Sequence, residues 1–426
     1  MKILVVHNYY QHAGGEDTVF KTECAMLTQA GHEVIKWEVH NDTIDTSNLF
    51  GAIRVALNTL WNRGSCKTMR SLIRTHRPDV VHFHNTFPLI SPSAYWACKK
   101  EGVPVVQTLH NYRLCCLNAC LFRDGRICEK CFGKTPWWGV KHRCYRNSLG
   151  ASMTLFMMLM VHRMLGTWRR KVDVYIALTE FGKQKMIEAG FPKEKIFVKP
   201  NAIVAATSPS PSKNEMGSGL DICTSQMYKP DPIQLNDGDG DVAATIVLYA
   251  GRLSPEKGVD VLLKAWKIFV PARRETRATL AIAGDGAERE NLEALSQRLG
   301  LSVIFTGHLT RDRLHAAMKK STILVVPSVC YETFGMSTAE GFMQGLPAIV
   351  PNTGAVAELV KDGITGWHFN TGDETDLADK LTIALSDTHR LHTMKATVHD
   401  WIQESDSIEE RNVERLIEIY TGCIKR

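Results

Sequence analysis

The sequence predicts an α/β protein of two doubly wound, parallel-sheet domains. Short apolar runs open the chain (Lys2 to His7) and recur past its middle (Ile246 to Ala250), each followed by a glycine-bearing turn and an amphipathic stretch. That alternation is the mark of parallel strands joined by crossover helices. A chain of 426 residues is also long enough for two domains of roughly 200 residues each.

Lys2 to His7 reads as a buried strand, and His12-Ala13-Gly14-Gly15-Glu16 as the turn after it. Glycines allow tight backbone there, and Glu16 with Asp17 suit the first turn of a helix. That helix carries Phe20, Cys24 and Leu27 on one face and stops at Gly31. Val34 to Val39 is a second strand. Val80 to His84 and Val103 to Leu109 follow, separated by a helix from Pro92 to Glu101. These two strands end in histidines, His82 and His84 on one and His110 on the other, and strand carboxyl ends are where such sheets bind ligands. His84 stands open between a structural and a functional role. Val174 to Leu178 is a further strand, Thr179 caps the helix after it, and Ile196 to Asn201 closes a first domain of residues 1–204.

Within that domain lies an insert, about 112–147, with six cysteines (Cys115, Cys116, Cys120, Cys128, Cys131 and Cys144) in thirty residues. Cys128-Glu129-Lys130-Cys131 is a Cys-x2-Cys knuckle that can present two thiolates to one tetrahedral ion. Cys116 and Cys144 bracket it and could complete four ligands. Asp124-Gly125 between them signals a hairpin. The residues leave two readings open, a closed structural zinc site, or a loop of reduced thiols or one disulfide. Four thiolates would leave no open position for substrate, so neither reading is catalytic. From the end of the insert onward, Trp137-Trp138, several basic residues and the apolar helix Leu149 to Leu165 form either a core helix with solvated ends or a peripheral membrane contact.

Residues 205–242 turn to Ser-Pro repeats and an Asp-Gly run without periodicity, which reads as a mobile linker. The second domain, 243–405, is cleaner: strands at Ile246–Ala250, Thr279–Ala283, Val303–Phe305, Ile323–Pro327 and Ala348–Val350 alternate with helices. A last helix, about Ile408 to Ile419 within 406–426, is expected to cross back onto the first domain. Two motifs stand at strand ends. Gly251-Arg252-Leu253-Ser254-Pro255-Glu256-Lys257-Gly258 brings two cations into a turn. Glu332-Thr333-Phe334-Gly335-Met336-Ser337-Thr338-Ala339-Glu340 opens a helix between two carboxylates with seven residues between them. Arg252, Lys257 and the amides near Gly335 and Met336 make a seat for a diphosphate. Carboxylates beside an anion need another reason, and sugar hydroxyls supply one: Glu332 and Glu340 can accept their hydrogen bonds.

Composition excludes several alternatives. Apolar content of 44% and charged content of 23% are those of an ordinary globular enzyme, and a net charge of +6 does not by itself argue for nucleic acid. No secretory signal is visible at the start, and twelve cysteines then favour a reducing compartment. Leu155 to Val161, the longest apolar run, falls far short of the ~20 residues a spanning helix requires.

Four motifs in this order, from Gly14-Gly15-Glu16 through Gly251–Gly258 and the Glu-x7-Glu pair to Gly345-Leu346-Pro347, resemble the retaining glycosyltransferases of family 4. The resemblance implies the GT-B fold, two Rossmann-like domains facing a cleft, and transfer of a hexosyl group from a nucleoside-diphosphate sugar to a glycan or lipid-linked acceptor with retained configuration. It further implies His110 and Glu332 at the donor sugar and Glu340 at the ribose. Gly15, Gly251, Phe334, Gly335 and Met336 then lie along the donor, with Gly284 and Gly307 at its base. Arg252 and Lys257 would neutralise the departing diphosphate, so no divalent ion is required for catalysis. A cysteine-bearing insert in a bacterial subset of the family favours zinc, and lipid-linked acceptors favour a cytoplasmic protein peripheral to the inner membrane, assembling surface polysaccharide or glycolipid. One departure is Gly354-Ala355, where the family has paired glycines. The competing readings are a GT-B epimerase or phosphorylase, of which the epimerase would need a base at the sugar's C2 that the motifs do not supply, and a membrane-associated scaffold with a vestigial site, which intact cations and glutamates argue against.

Overall fold

The computed structural model describes residues 1–11, 14–44, 49–203, 245–272 and 278–425. The expected 205–242 linker and His12-Ala13 lie outside the described residues. Two compact units are present: Met1–Ala202 with Cys330–Met336 and Ser405–Arg426, and Ile203–Val329 with Ser337–Glu404. Contacts thus group Cys330–Met336 with the first unit, although the 243–405 division runs through them.

The first unit is built on β1 (Lys2–Tyr9), β2 (Glu33–His40), β3 (Val80–Phe83), β4 (Val105–Thr108), a two-strand hairpin β5 (Phe122–Arg123) and β6 (Arg126–Ile127), β7 (Val174–Ala177) and β8 (Ile196–Val198). Its main sheet runs β2-β1-β3-β4-β7-β8 with every pairing parallel. All four residues of β3, β4 and β7 are buried, because helices cover both faces of a parallel sheet. Those helices are α1 (Gly15–Gln29), α2 (Leu49–Leu60), α3 (Arg63–His76), α4 (Ser93–Lys100), α5 (Trp137–Lys141), α6 (Leu149–Met164), α7 (Thr167–Arg170) and α8 (Glu180–Glu188). Asn62, Ser148 and Thr179 cap α3, α6 and α8 through their side chains.

Alternation along β1 sorts the core. Leu4 and Val6 pack with Met69, Ile73 and Tyr95 on one side, and Ile3 and Val5 pack with Phe20, Leu27, Leu416 and Tyr420 on the other. Leu416 and Tyr420 belong to the last helix, so it does join the first unit. It runs Glu409–Ile424, longer than the sequence pattern suggested. The helix α6 is a core element on one face, with Leu155, Met158, Leu159 and His162 buried, and Trp168 is buried too. Of the two readings of that stretch, a core helix holds for this face, while Trp137, Trp138, Leu149, Met157, Met164 and Leu165 stay exposed along it. Exposed apolar side chains also sit on α2, at Phe50, Ile53 and Leu57.

The second unit has β9 (Thr245–Ala250), β10 (Ala278–Ala283), β11 (Val303–Gly307), β12 (Ile323–Val325), β13 (Ala348–Pro351) and β14 (Gly366–Phe369), in the order β11-β10-β9-β12-β13-β14. The sixth strand was not read from sequence, since Gly366-Trp367-His368-Phe369 is short and mixed. The helices α9 (Val259–Ala272), α10 (Arg289–Arg298), α11 (Arg311–Lys320), α12 (Met336–Met343), α13 (Ala355–Leu359), α14 (Glu374–Ser386) and α15 (Thr388–Gln403) intervene, and Glu409–Ile424 is α16.

Candidate functional site

In the second sheet the direction of crossover reverses between β9 and β12, and ligands of such sheets sit outside the strand ends at that point. Gly251-Arg252 follows β9 there directly. A Cβ on Gly258, whose φ is +63°, would stand 2.1 Å from the Pro327 carbonyl oxygen, so the Arg252–Lys257 turn is held against the chain leaving β12. Ser337, in the first turn of α12, donates to the Ala250 carbonyl at 2.7 Å. Arg252 and the start of that helix therefore share one strand end. The Arg252 guanidinium is more than half exposed and lies 3.2 Å from Glu256.

The neighbouring turns are stitched by main chain. Gly251 N–H donates to Ala283, Leu253 N–H to Asp285 and Gly284 N–H to Gly307. This gathers Gly251, Gly284 and Gly307 at adjacent strand ends. Gly284 has a structural reason to be glycine, because a Cβ would meet the Gly251 carbonyl oxygen at 1.8 Å. Burial raises the pKa of the Glu340 carboxyl on α12, while Arg311 at the start of α11 draws it down. Arg311 escaped the sequence reading; its only signal is an arginine opening a helix just past the Gly307 turn.

In the first unit, Thr333 Oγ1 donates to the His110 carbonyl at 2.9 Å, which brings Glu332 and its neighbours onto the end of β4. Tyr331 lies under the Lys185 ammonium and against Phe181. Phe334 is 2% exposed, so its side chain packs and only its backbone can face a ligand. Gly335 turns into α12 with φ +99°, and Met336 accepts through sulfur from Asn201. Gly15 begins α1, and neither Gly14 nor Gly15 has an atom within 4 Å of a would-be Cβ. Gly14 has a φ of −127°, so its turn does not itself demand glycine. Glu16 accepts from Asn85 and Asn111, tying this turn to the His110 loop.

Behind that loop is a buried polar cluster that sequence reasoning missed. Glu23 of α1 pairs with Lys199, each 1% exposed. Its other oxygen lies 3.2 Å from His84 Nε2, and His84 Nδ1 lies 2.9 Å from His110 Nε2. His82 is held by two hydroxyls, Thr108 and Tyr420. Burial pushes the Glu23 carboxyl up, but Lys199 and then His84 outweigh it and hold the group well below its ordinary range. Burial holds His82 and His110 well below theirs, and so neutral. The available signal was a carboxylate within the apolar stripe Phe20, Cys24 and Leu27. Among the described residues Glu23, His82 and His84 are the one trio of ligand atoms within 4.8 Å of one another. An ammonium already occupies that carboxylate, so the trio is a poor metal site.

Cys116, Cys128, Cys131 and Cys144 line one small cavity of about 10 Å³ with Arg123, Lys130 and His142. Burial raises Cys116 and Cys131, and raises Cys144 to about 11, with the other three sulfurs adding to the last. Four thiols, no carboxylate and basic neighbours fit a closed zinc site in number and kind. No three of these sulfurs lie within 4.8 Å of one another, whereas Zn–S bonds of about 2.3 Å would set all four roughly 3.8 Å apart.

Comparison with known proteins agrees with these two units. The family described as Glycosyltransferase Family 4 matches residues 13–206, and that described as Glycosyl transferases group 1 matches residues 239–401. The solved structure of Anabaena HepE in complex with UDP superposes over 99% of this chain and 100% of its own, with a TM-score of 0.65 at 17% identity. The fold is that of the GT-B glycosyltransferases. Among curated relatives, the lipopolysaccharide 1,2-N-acetylglucosaminetransferase of Salmonella typhimurium is 32% identical over 34% of this chain and 41% of its own. The sulfoquinovosyl transferase SQD2 of Arabidopsis thaliana is 31% identical over 38% of this chain and 30% of its own. This GT-B chain thus spans less than half the length of either relative. No helix among its described residues is long and apolar enough to cross a membrane.

Proposed function

We propose that this GT-B chain is a retaining glycosyltransferase that moves a hexosyl group from a nucleoside-diphosphate sugar to an acceptor hydroxyl in polysaccharide or glycolipid assembly. The observation that carries this reading is the Arg252–Lys257 turn at the switch point of the second sheet, sharing the end of β9 with the first turn of α12. In the reaction, positive charge builds at the anomeric carbon while negative charge grows on the departing diphosphate. Arg252, Lys257 and the amides opening α12 stabilise that growing charge, and their fixed charges stand in for a divalent ion. Glu340 holds the ribose; His110 and Glu332 hold the sugar. The motifs among the described residues offer no carboxylate for double displacement, so in this reading the acceptor attacks from the face the diphosphate leaves, and a phosphate oxygen takes its proton. HepE has been solved with UDP-glucose, which makes a UDP-sugar the first donor to try.

A panel of UDP-, GDP- and ADP-sugars scored by thermal shift tests donor binding, and NMR of the product's anomeric proton tests retention. An inverted product, or turnover unaffected by Arg252→Ala and Lys257→Ala, would sink the proposal. Two finer parts belong with it. The four cysteines close on one structural zinc. The acceptor is presented at an anionic lipid surface, a part supported by the exposed apolar stripe of α2 beside Arg54 and checked by flotation with anionic and neutral vesicles.

A further inference from the structure

Arg113, three residues past His110 in the loop after β4, carries a buried guanidinium that has no carboxylate. Its backbone is set by an Asx turn, in which the Arg113 N–H donates to Asn111 Oδ1 at 3.0 Å. The guanidinium carbon lies 4.7 Å from the centre of the Phe87 ring and 5.3 Å from that of Tyr145. Those rings meet at 82°, so the cation occupies an aromatic corner. Nη1 donates to the Leu117 carbonyl at 3.0 Å, while Nε is buried with no partner.

Nothing on the page balances that charge. The side chains that act on it most are Tyr10, Tyr145 and Cys120, all neutral near pH 7. Among the described residues Arg113 forms no ion pair, and the Glu16 carboxylate of the neighbouring turn takes hydrogen bonds from Asn85 and Asn111. Lys199, by contrast, is buried with Glu23 beside it. Aromatic faces offset only part of what it costs to withdraw a guanidinium from water. A second cation adds to the demand: Arg146 lies 5.6 Å from the same Tyr145 ring, and its Nη2 donates to the uncharged side chain of Gln11. The space for a counter-charge is present. Arg113 lines a cavity of about 50 Å³ with His110, Asn111, Asn85 and Thr86. One water needs about 10–15 Å³, so a compact group of several heavy atoms fits beside a guanidinium and two amides.

We infer that this cavity receives an oxyanion, a phosphate or carboxylate group carried by the acceptor, and that Arg113 selects for it. A planar guanidinium held against two rings is already oriented for the two-pronged contact that such groups accept. A neutral sugar in the same place would leave the charge unanswered, so acid-bearing acceptors are preferred over neutral ones. The assignment to the acceptor rests on the reading that Arg252 and Lys257 of the second unit hold the donor's diphosphate. The anion site itself does not depend on it.

Side-chain ¹H–¹⁵N correlation of full-length protein labelled at arginine and tryptophan reads the site. Arg113→Gln identifies the Nε signal of residue 113, and the Trp168 indole, on the wall of the same cavity, is a second reporter. Inorganic phosphate, glucose 6-phosphate, glucuronate and glucose are titrated with and without UDP. Both reporters should shift saturably with at least one of the two sugar acids and stay still with glucose, and the tighter of the two acids names the group. Affinity read at Trp168 should fall about ten- to a hundredfold in Arg113→Gln, the worth of a charged hydrogen bond. Reporters that no anion moves, or that glucose moves equally, overturn the inference and leave Arg113 a structural cation holding the Leu117 loop. Anion shifts that UDP abolishes put the donor's own phosphate there and overturn the assignment to the acceptor. Failure to bind UDP while the anion shifts persist would sink the transferase reading and leave the anion site standing. Should Arg113→Gln not fold, the wild-type titration decides, with Arg113→Lys, which keeps the charge and loses the planar fork, identifying the signal.

Discussion

Replacing Lys199 with methionine strands one buried charge, which makes its effect on stability large and calculable. Lys199 and Glu23 are each 1% exposed and paired. Breaking such a pair by deleting one partner costs about 3–5 kcal/mol, because the remaining ion has lost both water and counter-charge. For a unit of this size each kcal/mol shifts the midpoint by roughly 2–4 °C, so Lys199→Met should lower the first unit's unfolding temperature by roughly 6–20 °C at pH 7. The double variant Lys199→Met with Glu23→Gln removes both charges and should recover more than half of that loss. Scanning calorimetry, with the two units' transitions resolved, is the assay. The pH dependence has a definite sign. The folded pKa of Glu23 is depressed, so its contribution is present above the unfolded pKa and is lost as pH falls through the folded one. Lys199→Met shrinks that depression, so its deficit should narrow on acidification. A shift under about 2 °C, or a double variant losing the sum of the singles, would refute the reasoning.

Four further outcomes are expected. Arg252→Ala and Lys257→Ala should each lower kcat on the order of a hundredfold without moving the unfolding midpoint, and wild-type turnover should survive EDTA; loss of folding instead would mark these cations as structural. Gly258→Ala should destabilise the second unit by at least about 2 kcal/mol in calorimetry, since it strains a residue at φ +63° and drives its Cβ to 2.1 Å from the Pro327 oxygen. Side-chain bonds from Arg74 and then Arg70 take the Glu101 carboxyl from 4.5 to about 2. Its stabilising effect is therefore present above pH 4.5 and lost towards pH 2, and Glu101→Gln should flatten that stretch of the acid unfolding curve. Purified protein should carry one zinc per chain by native mass spectrometry, and Cys128→Ser should abolish it. A metal-free protein of unchanged melting temperature would leave the cysteines as reduced thiols.

The sequence by itself determined the strands and the positions of the cations. β1, β3, β4, β7 and β9 were legible because a strand buried on both faces must be a continuous apolar run, and Arg252, Lys257 and Glu332 because strand-end motifs are local in the chain. Thr179 as a cap and the Asp124-Gly125 hairpin were legible for the same reason. Tertiary structure alone decided what depends on distant partners. The Glu23 ion pair joins α1 to a lysine 176 residues away, and no local pattern announces that a carboxylate in an apolar stripe has a counter-ion waiting. It also decided that Glu332 and Thr333 rest on the His110 carbonyl across 223 residues, that one face of α6 is core while α2 shows its apolar face, and that four cysteines from three places in the chain line one cavity. Periodicity reports which side of an element avoids water, whereas burial of charge and convergence of side chains depend on which elements the sheet order makes neighbours.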